Sequence, residues 1–375
     1  MKKSVLLLLS YFIGIAAYSD PLDQSLMIAM KAYQVPVLGY AIIDHGHIVR
    51  AETLSINKNI NVNKESLFQA ASISKSMTAY AALKLIDEKK LDLDQPANQT
   101  LKKWKIPDNA FTKNNPVTVR ELMDMTSGLS VSGFAGYPQH EPLPNQFQLL
   151  NGESPANNEP VRVFYTPGSH YFYSGGAFQV LEQVVEAATQ KDFSNYMNTE
   201  VLPALGMDHS IYQYPLTNPL FNKKAVPSFS GWDGSAIPGG WYNYAIAGAG
   251  GMWSTPSDLA KFILNITASY QGQKQGYLTQ NLTKEMLTRQ ANTDYGLGVV
   301  VMGHGKNLYF MKQGHNYGYH SQIIMFPNQG QGIAIMTNSE TGDWVINYAV
   351  ALVALQYHWP YYFPFFDELV EMPAV

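Results

Sequence analysis

Ser72 and Lys75 open a run, Ser72-Ile-Ser-Lys75-Ser-Met-Thr-Ala79, that continues with apolar periodicity through Leu83, Leu85 and Ile86. If a helix begins near Ser72, Lys75 lies one turn along on the same face. The helix N-terminus then aims unpaired N–H groups and partial positive charge at the serine hydroxyl. Such an arrangement suits an acylatable serine: an alcohol is a poor nucleophile at neutral pH, and a nearby amine, desolvated enough to be neutral part of the time, can take its proton. The bland alternative is an N-cap followed by an exposed lysine, since Ser-x-x-Lys occurs by chance in many helices. Phe68-Gln-Ala-Ala71 weighs against it, because these apolar and small residues read as a buried strand end or turn and set the pair at a buried boundary. Tyr173, within Thr166-Pro-Gly-Ser-His-Tyr-Phe-Tyr173-Ser-Gly175-Gly176, is a candidate second acid/base. A phenol near an ammonium has its phenolate favoured and could relay the serine proton to a leaving group, although a lone tyrosine is more often packing.

The elements that must position these groups follow from pattern. Leu26, Met27, Met30 and Ala32 suggest a short amphipathic helix, and Val37–Asp44 and Ile48–Leu54 flank a tight turn at His45-Gly46-His47, which predicts a β-hairpin. Two histidines at a turn invite a metal, but no third ligand stands nearby. From Lys89 to Arg120, Asp92, Asp94 and three prolines punctuate short helical pieces, and Thr118 is placed to cap a helix that ends in Met125-Thr-Ser-Gly-Leu129. Residues 130–165, rich in Pro, Asn and Gly, predict a long surface excursion and a substrate-side wall. A strongly periodic helix carries Phe178, Leu181, Val184, Val185 and Ala188, residues 193–212 look helical, and Thr255-Pro256 starts another helix through Ile263. Tyr295–Met302, Asn307–Met311, Gly314–Ser321, Gln322–Phe326 and Ile333–Thr337 read as an antiparallel meander, closed by a helix over 343–357. The early hairpin has no other sheet to join. The two chain ends are therefore expected to build one sheet with the helical middle inserted.

Composition narrows the classes. The chain of 375 residues has a net charge of −4 and no arginine-rich run or basic stripe, which argues against nucleic acid as a partner. Met1-Lys-Lys3, an apolar stretch over Val5–Ala17 and small residues at Ala17 and Ser19 predict a secretory leader over residues 1–19, cleaved near Ser19, and a secreted or periplasmic protein with no membrane span in its mature chain. Without any Cys, disulfides, lipid-modified cysteine and thiolate metal sites are excluded. The sequence leaves the oligomeric state open.

Three sites in chain order, Ser72-Ile-Ser-Lys75, Tyr173-Ser-Gly175 and Gly314-His315, together with Met125–Leu129 and Gly250-Gly-Met-Trp-Ser-Thr-Pro-Ser-Asp-Leu259, resemble the serine β-lactamase/penicillin-binding-protein superfamily, in its class C-like branch of esterases and D-peptidases. The resemblance implies an α+β, three-layer α/β/α fold: a five-stranded antiparallel sheet formed by both chain ends (about 20–75 and 290–375) and a mostly helical part (about 76–289) within one catalytic domain over 20–375. It implies acylation of Ser72, proton transfer by Lys75 and Tyr173, and an oxyanion hole from N–H groups of Ser72 and of the strand after His315. It implies a small-molecule or peptide substrate and no metal or organic cofactor. Two departures stand out. Gly175 replaces a frequent asparagine that contacts substrate amides, and the Lys-Thr-Gly strand is read as His315-Asn316-Tyr317-Gly318, with histidine as a titratable anchor for a substrate carboxylate. These departures favour an ester or amide hydrolase of esterase type over a D-amino-acid-specific peptidase or β-lactamase, with a non-catalytic binder as the remaining alternative.

Overall fold

The computed structural model describes residues 20–230, 233–291 and 293–360. The leader read over 1–19 and most of the aromatic tail lie outside the described residues. Strands β1 (Val37–Asp44) and β2 (His47–Ser55) form the expected hairpin, turning on His45 and Gly46, both at positive φ as a two-residue turn requires. Far along the chain follow β6 (Val300–Met302), β7 (Tyr309–Asn316), β8 (Tyr319–Phe326) and β9 (Gln331–Thr337). Together they make one antiparallel sheet in the order β2-β1-β9-β8-β7-β6, with β1 and β9 paired from Leu38↔Thr337 to Ile43↔Gly332. Both chain ends thus build the sheet, as expected, but it has six strands and not five. The additional strand, β6, is a three-residue edge that pairs with Tyr309–Met311 on one side and makes a single bridge, Val300 to Tyr295, on the other. Two stretches read as separate strands, Asn307–Met311 and the run from Gly314, are one continuous strand β7 that turns at Tyr317-Gly318 into β8.

Central strands are apolar on both faces because helices cover both. Leu38, Tyr40 and Ile42 of β1 and Ile333 and Ile335 of β9 pack against Leu22, Leu26 and Met30 of helix α1 (Pro21–Ala32), and against a later helix that carries Val345, Ala349 and Val353. The alternate residues of the same strands, Ala41, Ile43, Ala334 and Met336, face the opposite way, as the period of two in a strand dictates. They join a larger core with helices α2 (Ile73–Asp87), α3 (Gly175–Thr189) and α4 (Pro256–Tyr270); the helix on the first face is α5 (Gly342–Gln356). The caps read from sequence form: Thr118 makes a capping box with Glu121, and the Thr255 hydroxyl accepts from the Asp258 N–H with Pro256 in the first turn. Residues 193–212 break into short helical turns before the small strand β4 (Ile211–Tyr212), which joins β3 (Phe68–Gln69) and β5 (Met252–Ser254) in a three-stranded sheet. That small sheet delivers the chain into α2. No helix among the described residues is long and apolar enough to cross a membrane.

Candidate active site

The N-terminus of α2 is held from several sides. Ala70 N–H donates to the Met252 carbonyl, Met252 N–H donates to the Ser74 hydroxyl, and the Ser76 and Thr78 hydroxyls donate to the carbonyls of Gly298 and Gly248. Ala71 just before the helix has φ 48°, a left-handed conformation that costs an alanine energy and that the surrounding contacts must enforce. The Ser72 side chain makes no capping bond, which leaves its hydroxyl for other work. Lys75, buried, donates from Nζ to Ser72 Oγ at 3.1 Å and to the Ala249 carbonyl at 2.7 Å. Burial pushes the Lys75 amine below its ordinary range and the neighbouring Lys312 pushes it further, with Tyr173 opposing both.

Tyr173 arrives on the segment before α3. Phe172 N–H donates to the Met125 carbonyl, Ser174 N–H contacts the Met125 sulfur, and the Ser174 hydroxyl accepts from the Ala177 N–H to start α3. The Tyr173 ring lies under two ammoniums, with Lys75 Nζ 5.3 Å and Lys312 Nζ 4.9 Å from its centroid, and Lys312 Nζ donates to its oxygen at 3.3 Å. Burial alone would raise the phenol, but Lys312, Lys75 and a hydrogen bond with Ser72 outweigh it and bring Tyr173 down to about 7.

Lys312 is the main residue that reading the sequence missed: Lys312, and not His315, contacts Tyr173, although both border the cleft. Along β7 the side chains alternate: Lys312, Gly314 and Asn316 are buried on one face while Gln313 and His315 are exposed on the other. The lysine that faces the tyrosine is therefore three residues before His315, in Lys312-Gln313-Gly314. His315 instead directs its Nε2 at the Glu340 carboxylate, 3.1 Å away, and that hydrogen bond raises its pKa although burial opposes it. A Cβ on Gly314 would lie 3.0 Å from the Ser72 N and closer still to the Ala70 carbonyl, so only glycine lets the strand pass this near Ser72. Beyond it, Asn316 spans from its Nδ2 to Gln69 Oε1 and the Gly250 carbonyl. Tyr317 and Gly318 do not line the cleft. They form the turn into β8, with the Tyr317 N–H on the Tyr244 hydroxyl and the Gly318 N–H on Glu340. The signal that could have found Lys312 was its spacing of two from Gly314, the Lys-x-Gly interval of the motif sought.

Ser72, Lys75, Tyr173, Lys312 and Gly314 converge on a cleft of about 770 Å³, walled by Ser132, Gly133 and Phe134 on one side and by Ile246, Ala249 and Gly250 on another. The expected substrate-side wall from residues 130–165 is thus present in its first turn. It also explains Gly175. A Cβ there would meet the Phe134 ring and the Ser132 carbonyl at 3.0 Å, and Gly175 N–H donates to that same carbonyl, so the ring takes the space a side chain at 175 would use.

Comparisons with known proteins bear on the family and the fold. The family model for beta-lactamase matches residues 22–356. Protein flp of Staphylococcus aureus (strain N315) is 23% identical over 300 residues, 76% of this chain and 55% of that protein, so the chain spans about half the length of that relative. The D-alanyl-D-alanine-carboxypeptidase/endopeptidase AmpH of Escherichia coli (strain K12) is 25% identical over 296 residues, 74% of this chain and 72% of AmpH. Among solved structures, the octameric penicillin-binding protein homologue from Pyrococcus abyssi superposes with a TM-score of 0.69 at 21% identity, covering 88% of this chain and 76% of that one. At that identity the likeness shows the fold.

Proposed function

Because the chain belongs to the beta-lactamase family, matched over residues 22–356, we propose that it is a serine hydrolase working through an acyl-enzyme on Ser72. The observation that carries this reading is the Ser72 hydroxyl, held 3.1 Å from the buried Lys75 amine, whose ammonium lies over the ring of a tyrosine with phenolate accessible near neutral pH. In acylation the Lys75–Tyr173 pair takes the hydroxyl proton as Oγ attacks the substrate carbonyl carbon. The C=O electron pair moves to oxygen, and the N–H groups of Ser72 and of His315, which follows Gly314, receive that oxyanion. Collapse expels the leaving group, which takes a proton from Tyr173; a water then repeats the sequence to release the acid.

The closure of the Gly175 position by Phe134 supports esters as the preferred substrates. An unactivated amide gains from a side chain that holds its N–H and carbonyl, and needs strong protonation of a poor leaving group, whereas a short ester needs less of both. Lys312 supports a second reading, a D-amino-acid-specific carboxypeptidase or β-lactamase, because a lysine beside the nucleophile can receive a substrate carboxylate. With Lys312 present, the dependence of carboxylate binding on His315 titration expected from sequence no longer follows. The leader-like residues 1–19 support placing the reaction outside the cytoplasm.

The test joins a fluorophosphonate probe with a substrate panel. A covalent mass increment should map to the peptide holding Ser72 and vanish in Ser72→Ala; labelling that persists there removes Ser72 from the mechanism, and an unlabelled wild-type chain favours the non-catalytic reading. Catalytic efficiency on short p-nitrophenyl esters should exceed that on a chromogenic cephalosporin and on D-alanyl dipeptides. If a carboxylate-bearing substrate is best, the second reading replaces the first.

A further inference from the structure

On the face of β7 and β8 that α5 covers, opposite the side that carries Lys312, stand three side chains that the reaction does not use. His315 and His320 are direct cross-strand partners, and Glu340 follows the end of β9. One ligand atom from each lies within 4.8 Å of the others, and among the described residues they are the His/Cys/Asp/Glu group placed to hold a metal ion. The two imidazoles are stacked, 4.3 Å between centroids and 17° between planes.

His320 is the informative member. Its Nε2 is buried and has no hydrogen-bond partner, although a buried ring nitrogen is normally satisfied. A neutral imidazole binds a metal through such a free ring nitrogen. The Glu340 carboxylate is anchored, accepting the Gly318 N–H as well as facing His315 Nε2.

We propose that His315 Nε2, His320 Nε2 and the Glu340 carboxylate form a binding site for a divalent transition-metal ion of the zinc class. Two imidazoles and one carboxylate are a borderline donor set, suited to zinc and cobalt and poorly suited to magnesium or calcium. Tetrahedral bonds of about 2.0–2.1 Å bring donors to roughly 3.3 Å from one another, so side-chain rotation of His315 away from its carboxylate contact completes the site without moving a strand. His315, His320 and Asp343 all border the cleft that contains Ser72. Binding of the metal stands on these residues alone and is independent of the hydrolase reading.

The experiment is a titration of the chelator-treated full chain with Co²⁺, followed by visible absorption, in the wild type and in His320→Ala, Glu340→Gln and, as a control for exposed histidines, His45→Ala. Expected is the intense ligand-field band of a four-coordinate ion at one equivalent, unchanged in His45→Ala. Affinity should weaken by about tenfold or more in His320→Ala and in Glu340→Gln. Zn²⁺ should displace the cobalt and raise the thermal midpoint of the wild type but not of either site variant. Glutamine at 340 keeps an acceptor for the Gly318 N–H, so that variant separates loss of a ligand from loss of the fold. Absence of the band in the wild type, or a band of equal strength in both site variants, overturns the proposal.

Discussion

At the scale of the residue, the site works through mutual perturbation of three groups. Lys75 is pushed toward its neutral form by burial and by Lys312, while Tyr173, despite burial, is drawn toward phenolate by Lys312 and Lys75. A base needed in its deprotonated form makes kcat/KM rise as pH rises through its pKa, so the acidic limb of the profile is expected near 7. Lys312 is the largest of the influences that lower Tyr173. Its replacement, Lys312→Met, should move that limb to higher pH, measured with a neutral ester so that substrate binding does not depend on the lysine. A limb that stays in place would detach Lys312 from the proton path. Tyr173→Phe and Lys75→Ala should each lower kcat by orders of magnitude, and their logarithmic losses should fall short of adding in the double variant, since both belong to one proton path.

Among elements, α3 and the turn Ala247–Gly250 are joined by a buried carboxyl that sits behind Lys75. Glu182 on α3 accepts from Gly248 N–H at 2.6 Å and from Gln179 Nε2 at 2.8 Å, and the next residue of that turn, Ala249, supplies the carbonyl that holds Lys75. Glu182→Ala should therefore cost about 1–3 kcal/mol by leaving buried donors unpaired, and should lower kcat by loosening the Ala249 carbonyl. Burial raises Glu182 from 4.5 to about 8, so between those values the folded state holds a proton that the unfolded state has lost. The stability this group contributes is complete below about 4.5 and disappears as pH rises through about 8. Glu182→Gln, which cannot ionise, should flatten that decline in urea midpoints taken across the same interval. An unchanged slope would show that Glu182 ionises as readily folded as unfolded.

For the whole molecule, the decisive feature is that one core runs through both the sheet and the inserted helices. Val37, Ala41 and Ile43 of β1 share a buried cluster with Met77 of α2, Leu181 of α3 and Ile263 of α4. On this ground the two parts should unfold together, as a single domain, and calorimetry should give one transition whose van't Hoff and calorimetric enthalpies agree. Ile335→Ala, on the other face of β9, creates a cavity expected to cost about 2–5 kcal/mol, and should shift that one transition downward without splitting it. Two resolved transitions would show that the sheet and the helical part are separately stable.

The sequence by itself determined the features that short-range chemistry dictates. The Ser72–Lys75 pair follows from helix periodicity, and the hairpin from His45-Gly46 between apolar runs. The caps follow from Thr118 and Thr255, and the pairing of the two chain ends from a hairpin with no other sheet to join. Tyr173 was legible only as a candidate until the fold set it between two lysines. Which residue of β7 faces Ser72 was decided by tertiary structure. Alternation fixes only that Lys312 and Gly314 share one face and His315 takes the other, while the packing of that strand against Ala70 and Ser72 chooses which face is the cleft. The ring of Phe134 over Gly175 and the meeting of His315, His320 and Glu340 are contacts between residues far apart in the chain or on different elements, and no local pattern encodes a contact whose partners are chosen by how distant elements pack.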